Sequence, residues 1–344
     1  MRKVTVQPSG QGFEVQEGET VLAAALRQGV MLPYGCKNGA CGSCKGKIVA
    51  GTVDYGHYHA RVLTEKEREH GKALFCQAKP LGDLVIECRT IGAAKDIAVR
   101  LLPCRVQKLD KVADDVMIVS LKLPANERLQ FLAGQYIDFL LRGGERRSFS
   151  MANAPHADEL IELHVRRVAG GSFTEHVFTK MKARDILRLE GPLGSFFLRE
   201  DSAKPVVFVA SGTGFAPIKS IIESAFHRGI ARPMALYWGG RRPKDLYLGA
   251  LAEKWAREHA SFRYVAVISE ARPEDSWSGR TGFVHRAVME DFPDLSQHQV
   301  YACGVPVMVD AAQKDFTTLR GLPEDEFYAD SFTTQADLAS DELR

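Results

Sequence analysis

The sequence carries almost no net charge: 45 Lys and Arg stand against 43 Asp and Glu, a formal balance of +2. A nucleic-acid binder would present a basic face or stripe, so that class is set aside. The chain has no apolar run near the roughly 18 residues that a membrane span requires. It also has no low-complexity tract and no repeat at solenoid period, which excludes fibrous and array architectures. Met1-Arg2-Lys3-Val4-Thr5-Val6 leads into an alternating strand rather than the apolar core of a secretion signal, so a cytoplasmic location is expected. What remains is ordinary for a globular protein. Hydrophobic residues make up 45% and charged residues 26% of 344 positions, a length that suggests two or three domains.

A second C-x2-C unit is missing too, and that bears on how the seven cysteines are read. Cys36, Cys41 and Cys44 lie in Pro33-Tyr34-Gly35-Cys36-Lys37-Asn38-Gly39-Ala40-Cys41-Gly42-Ser43-Cys44-Lys45, a C-x4-C-x2-C run. Cys76 follows in Leu74-Phe75-Cys76-Gln77-Ala78. A structural zinc site usually joins two C-x2-C units, and disulfides need an oxidising compartment; these are the alternatives. The spacing is that of plant-type ferredoxins, with three thiolates on one loop and a fourth from elsewhere holding a [2Fe–2S] cluster. Gly35, Gly39 and Gly42 let the backbone wrap closely and aim N–H groups at sulfur. Cys88 and Cys104 lie outside the pattern and read as small buried hydrophobes.

Around the cysteines, residues 3–8 and 12–15 read as a hairpin turning at Ser9-Gly10, and 20–27 as a helix stopped near Gly29. Residues 44–53 return as a strand, 63–69 form a short helix capped by Thr64 with Glu67 three on, and 84–87 close the module. A mixed sheet crossed by one helix is the β-grasp shape, and residues 2–93 resemble the plant-type ferredoxin domain. Residues 91–98 read as a linker.

From residue 101 the pattern becomes spaced β segments at 104–109, 116–123, 136–141, 148–151, 161–168 and 186–190, the signature of an antiparallel barrel, with one helix at 172–181. From residue 204 it changes again. Val206-Val207-Phe208-Val209-Ala210 is a continuous apolar run, as in buried parallel strands. Ser211-Gly212-Thr213-Gly214-Phe215-Ala216-Pro217 follows, then a helix at 218–227. Strand, glycine turn and helix start form a diphosphate-binding arrangement. Further strands at 234–238, 262–268 and 299–302 alternate with helices at 247–259, 284–290 and 307–319, which implies a doubly wound sheet. The expected fold is therefore multi-domain, α+β and α/β: ferredoxin domain 2–93, antiparallel barrel domain 99–200 and nucleotide domain 204–335, with a polar frayed tail from Thr334.

Three stretches of the barrel resemble the ferredoxin–NADP reductase superfamily: Gly134-Gln135-Tyr136, Arg147-Ser148-Phe149-Ser150 and Gly171-Ser172-Phe173-Thr174. The second matches that family's R-x-Y-S with Phe for Tyr. The resemblance implies FAD, with Arg147 on a phosphate, Phe149 against the flavin and Ser150 near the hydride-accepting N5. Ser148, Tyr136, Gly171, Ser172 and Thr174, together with His164 and Val165, complete the candidate flavin contacts. Asn153 favours FAD over FMN. In the nucleotide domain Gly212, Thr213, Gly214 and Pro217 match the family's G-T-G-x-A-P, and Tyr301-Ala302-Cys303-Gly304-Val305-Pro306 its C-G-x-P turn beside the nicotinamide. Arg241 and Arg242 are candidates for the adenosine half, and Phe332 for an aromatic cover on the flavin. Ser150 and Cys303 are the candidate catalytic residues.

Nearly the whole chain resembles the CDP-6-deoxy-L-threo-D-glycero-4-hexulose-3-dehydrase reductase family, notably at residues 34–45, 134–138, 147–155, Gly282-Phe283-Val284-His285 and 301–304. That resemblance implies electron flow from NADH, with NADPH as alternative, to FAD, to the cluster and on to an acceptor protein. The acceptor would be a pyridoxamine-phosphate dehydrase of 3,6-dideoxysugar synthesis; the domain order also fits reductases of aromatic-ring and multicomponent oxygenases. Two other classes stand as alternatives, a cluster-based redox regulator and a cluster-free diaphorase. The first lacks a basic DNA-binding face, and the four cysteines speak against the second.

Overall fold

The computed structural model describes residues 1–92 and 97–333. Part of the expected linker and the tail from Thr334 lie outside the described residues. The chain divides into two compact units, one from Met1 to Ala98 and one from Val99 to Phe332.

In the first unit, β1 (Arg2–Gln7) and β2 (Gly12–Val15) alternate, burying Val4, Val6, Phe13 and Val15. Helix α1 (Val21–Arg27) starts where the Thr20 hydroxyl accepts from the Ala23 N–H, and it buries Val21, Leu22, Ala24 and Ala25. β3 (Lys45–Ala50), the short β4 (Val53–Asp54) and α2 (Glu65–Glu69) follow. The start of α2 has the expected capping box of Thr64 and Glu67. β5 (Lys72–Leu74), β6 (Lys79–Pro80) and β7 (Leu84–Glu87) complete the unit. The sheet runs β2-β1-β7-β3-β5, with β1 and β7 parallel and its other pairs antiparallel, which is a β-grasp.

The second unit opens with six antiparallel strands: β8 (Arg100–Ala113), β9 (Val116–Lys122), β10 (Tyr136–Leu140), β11 (Arg146–Ser150), β12 (Ile161–Arg166) and β13 (Ile186–Leu193). Their order is β11-β10-β13-β8-β9-β12. The two end strands meet just past β11, where Met151 bridges Leu163 and Ala152 N donates to Glu162 O at 2.7 Å, so the sheet closes. Register shifts along β8 supply the bend. Helix α3 (Ser172–Thr179) plugs the barrel with Phe173 and Val177.

Six parallel strands follow: β14 (Val206–Ser211), β15 (Met234–Gly240), β16 (Phe262–Ile268), β17 (Arg280–Thr281), β18 (Gln299–Gly304) and β19 (Phe327–Ser331). Their order, β17-β16-β15-β14-β18-β19, reverses direction at β14 and β18. Alternate residues of β14 leave the sheet on opposite faces. Val206, Phe208 and Ala210 join α4 (Phe215–His227) and α5 (Gly249–Glu258). Val207 and Val209 join α6 (Val284–Asp291) and α7 (Pro306–Leu319). Both faces are covered, so the strands are apolar throughout rather than alternating.

Two expectations need correction. Helix α4 begins at Phe215, three residues before the expected start, because Pro217 sits in its first turn, where a missing N–H has no intrahelical acceptor anyway. Residues 327–331 were read only for their aromatics and form the edge strand β19.

Candidate functional site

Cys41, Cys44 and Cys76 are buried and Cys36 is half-buried. The loop closes on itself: Cys36 N–H points at Cys41 Sγ at 3.4 Å, and the Ser43 hydroxyl lies 3.4 Å from the same sulfur. Gly39 has φ +81°, and a Cβ there would lie 2.7 Å from His57 O, so no other residue fits. The thiols fall into two pairs. A hydrogen bond from Cys36 holds Cys41 down at about 6 and pushes Cys36 itself up; Cys44 and Cys76 repeat the pattern, with Cys76 lowered. Two thiolates per iron is what a two-iron cluster needs. The donor set thus fits a [2Fe–2S] cluster held by Cys36, Cys41, Cys44 and Cys76. Burial pushes Cys88 and Cys104 up to about 12, so both are inert thiols.

On β11, Arg147 and Phe149 share one face and Ser148 and Ser150 the other, since side chains alternate. The Phe149 ring leans on Phe139 and Phe173, with centroids 5.9 and 5.5 Å away. Arg147 is tied to Glu145 at 2.8 Å, and the Ser148 hydroxyl donates to Asp138 at 2.6 Å. Tyr136, buried, pairs with Ser150 across the ladder. Gly171 caps α3, and Ser172 is the first residue of that helix. The Thr174 hydroxyl accepts from Val168 N at 3.1 Å and so shapes the loop that presents free N–H groups. Val165 faces the barrel core. His164 is buried on the opposite face, with Nδ1 2.8 Å from the Tyr247 hydroxyl and Nε2 3.0 Å from Glu162. Both side chains are committed within the protein, which leaves their backbone for a ligand.

Where the barrel meets the parallel sheet, three side chains converge. The Ser150 hydroxyl donates to Asp330 Oδ2 at 3.3 Å, and Cys303 Sγ lies 4.0 Å from the same oxygen. Register explains it: Cys303 on β18 pairs with Asp330 on β19. Burial, then the Asp330 charge, pushes the Cys303 thiol well up, so it is a neutral thiol. Phe332 follows, half-buried, its N–H on Gly304 O at 2.8 Å. Asp330 escaped the sequence reading; its signal was an acid inside an otherwise apolar and aromatic run.

The glycine turn is a cradle that side chains would fill. A Cβ on Gly214 would overlap the Cys303 carbonyl, and one on Gly304 would overlap Ser211 Oγ. Thr213 and Pro217 are buried in the same turn. Trp238 stacks on Phe215 at 3.9 Å and donates Nε1–H to Gly212 O at 3.1 Å, which fixes the turn from below. Arg166, also missed, holds its guanidinium against Gly212 and is anchored by Asp115 at 2.7 Å. At the end of β15, Arg241 is exposed, whereas Arg242 is gripped by Asp275.

Buried thiols in pairs, a closed barrel and a glycine cradle at the reversal of a parallel sheet define a class: a ferredoxin fused to a nicotinamide-dependent flavoprotein. Comparison with known proteins gives the same division. The chain matches the 2Fe-2S iron-sulfur cluster binding domain over residues 4–81, the oxidoreductase FAD-binding domain over 103–198 and the oxidoreductase NAD-binding domain over 208–314. It is 41% identical to the CDP-6-deoxy-L-threo-D-glycero-4-hexulose-3-dehydrase reductase of Yersinia pseudotuberculosis, covering 96% of this chain and 98% of that one. It is 37% identical to the phenol 2-monooxygenase reductase component DmpP of Pseudomonas sp. strain CF600, over 99% of this chain and 97% of that one. Among solved structures, the Amycolatopsis cytochrome P450 reductase GcoB superposes with a TM-score of 0.76 at 36% identity, covering 97% and 99% of the two chains. The chain belongs to the [2Fe–2S] flavoprotein reductases of the ferredoxin–NADP reductase superfamily. It is an oxidoreductase that uses a [2Fe–2S] cluster, FAD and a nicotinamide nucleotide. Its relatives are reductase components that serve a partner protein. No helix among the described residues is long and apolar enough to cross a membrane.

Proposed function

We propose that this protein takes electrons from NADH through FAD and its [2Fe–2S] cluster to a pyridoxamine-phosphate CDP-deoxyhexulose 3-dehydrase in the cytoplasm. The convergence of Ser150, Cys303 and Asp330 beside the glycine cradle is the observation that carries the redox reading. Bound FAD accepts a hydride and releases single electrons, which is what joins a nicotinamide to an iron–sulfur cluster. The chain's own residues orient and exclude. Arg147 would offer a guanidinium to a phosphate, and Ser172 and Thr174 would present backbone N–H groups to an anion beyond Gly171, whose own N–H is spent on Val168 O. Tyr136 and Phe149 would bound the flavin, and Phe332 would cover it. Ser150 would present its hydroxyl near the flavin N5, with Asp330 accepting from that hydroxyl. Cys303, neutral and buried, would line the nicotinamide site without competing as a nucleophile. Gly212, Thr213, Gly214, Pro217 and Gly304 seat the dinucleotide.

The whole-length identity to the dehydrase reductase supports the acceptor. The 37% identity to a monooxygenase reductase component supports an oxygenase as a second reading. The deciding assay supplies NADH and reconstituted reductase to a purified CDP-deoxyhexulose dehydrase and, separately, to the oxygenase component of phenol hydroxylase. Deoxysugar product with NADH consumption in the first arm is expected. Turnover in the second arm alone would replace the acceptor and keep the redox chain.

A further inference from the structure

Helix α4 carries Lys219, Ser220 and Glu223 at helical spacing, between isoleucines that pack into the core of the parallel sheet. This polar stripe meets the barrel. Buried Lys219 holds its Nζ near three oxygens: Ala152 O at 3.1 Å, Glu162 Oε1 at 3.2 Å and Glu223 Oε2 at 3.0 Å. An ammonium has three N–H donors, so each has an oxygen to face. Beside it the fully buried Ser220 donates its hydroxyl to Asn153 O at 2.7 Å. Ala152 and Asn153 follow Ser150 closely along the chain.

The same Glu162 Oε1 also meets His164 Nε2 at 3.0 Å. A second tie starts there. The Tyr247 hydroxyl sits on His164 Nδ1, the Tyr247 ring stands edge-on to Trp238, and Trp238 Nε1–H donates to Gly212 O. One barrel carboxylate therefore holds the glycine cradle from two sides, through the helix that begins at it and through the tryptophan beneath it. Well-packed apolar side chains often replace a buried ion pair without loss of stability, so the gain from such a pair is direction. We infer that Lys219 and Glu162 are positioning residues: as a pair they keep the cradle, and the nicotinamide seated from it, in register with the strand that carries Ser150. Transfer between two bound groups is sensitive to such register, since a displacement of about 1 Å can cost about a hundredfold in rate. The pair acts through α4 and the end of β11, not on the reacting atoms.

The inference rests on the NADH-to-flavin reading above, and the test separates the two. Anaerobic stopped-flow mixing of NADH with the reconstituted holoenzyme gives the limiting rate of flavin reduction and the apparent Kd for NADH. It also gives the long-wavelength charge-transfer absorbance that reports nicotinamide against flavin. Lys219→Met and Glu162→Gln keep size and remove one charge each. Each is expected to lower the limiting rate about tenfold and to weaken the charge-transfer band, with Kd within about twofold and FAD content as in the parent. The double variant should fall no further than the worse single, because the two act as one unit. Parental rate and band in both single variants overturn the inference and leave the reductase reading intact. So does a Kd that weakens in step with the rate, or a double variant whose losses multiply. A parent whose flavin NADH does not reduce overturns both. Should Lys219→Met lose FAD, Ser220→Ala carries the test, since it deletes only the bond to Asn153 O. A drop of about threefold at unchanged Kd is then expected, and a parental rate overturns the inference.

Discussion

Ser150 belongs to the barrel, and Cys303 and Asp330 to neighbouring strands of the parallel sheet, yet one carboxylate oxygen meets both partners. We propose that a single hydroxyl so placed acts on the reaction rather than on the fold. Ser150→Ala should slow stopped-flow flavin reduction by NADH about ten- to hundredfold, the weight of one hydrogen bond to a charged group, with FAD content unchanged. A parental rate would remove Ser150 from that role. Cys303 invites the opposite test. Its thiol is pushed well above the ordinary range by burial and by Asp330, so thiolate is absent at neutral pH. Iodoacetamide at about pH 8 should leave the Cys303 peptide unmodified in the folded protein, as mass spectrometry would read, and rapid alkylation would contradict a neutral, buried thiol.

Among the elements, β12, α4 and the segment leading into α5, through Tyr247, are joined by one polar network. Neutral His164 donates toward Glu162 and accepts from Tyr247, and Lys219 lies 3.2 Å from Glu162 and 3.0 Å from Glu223. Burial pushes the Glu162 carboxyl up, but His164 and Lys219 outweigh it and hold it at about 2. A carboxylate depressed from about 4.3 contributes stability that is present above that value and fades as pH falls toward 2. Glu162→Gln should therefore cost about 2 kcal/mol in urea unfolding at pH 7 and markedly less near pH 3, and an equal cost at both would contradict the network. Much of the element plan was legible in the sequence. Capping at Thr64, the continuous apolar run at 206–210 and the C-x4-C-x2-C loop are local signals, and each names its element. What escaped was non-local. Asp330 reaches Ser150 across 180 positions, and the Arg242–Asp275 grip spans 33, distances over which periodicity carries no information. The start of α4 was misplaced for a local reason, since proline breaks helix interiors but is harmless in a first turn.

The molecule as a whole separates its tasks. The cluster loop belongs to the unit from Met1 to Ala98, and the nucleotide cradle and barrel to the unit from Val99 to Phe332. Each unit has its own buried core, so damage in one need not unfold the other. We propose that hydride enters at the second unit and single electrons leave through the four cysteines of the first. Cys76→Ala tests it most directly, because that thiol comes from outside the cysteine loop and its loss leaves the loop sequence intact. The measurement compares NADH-driven reduction of ferricyanide with that of cytochrome c, in the variant and the parent. Ferricyanide reduction should stay within about twofold, as the flavin unit is untouched, while cytochrome c reduction falls by about two orders of magnitude with the loss of the one-electron exit. Both activities surviving together would contradict the claim.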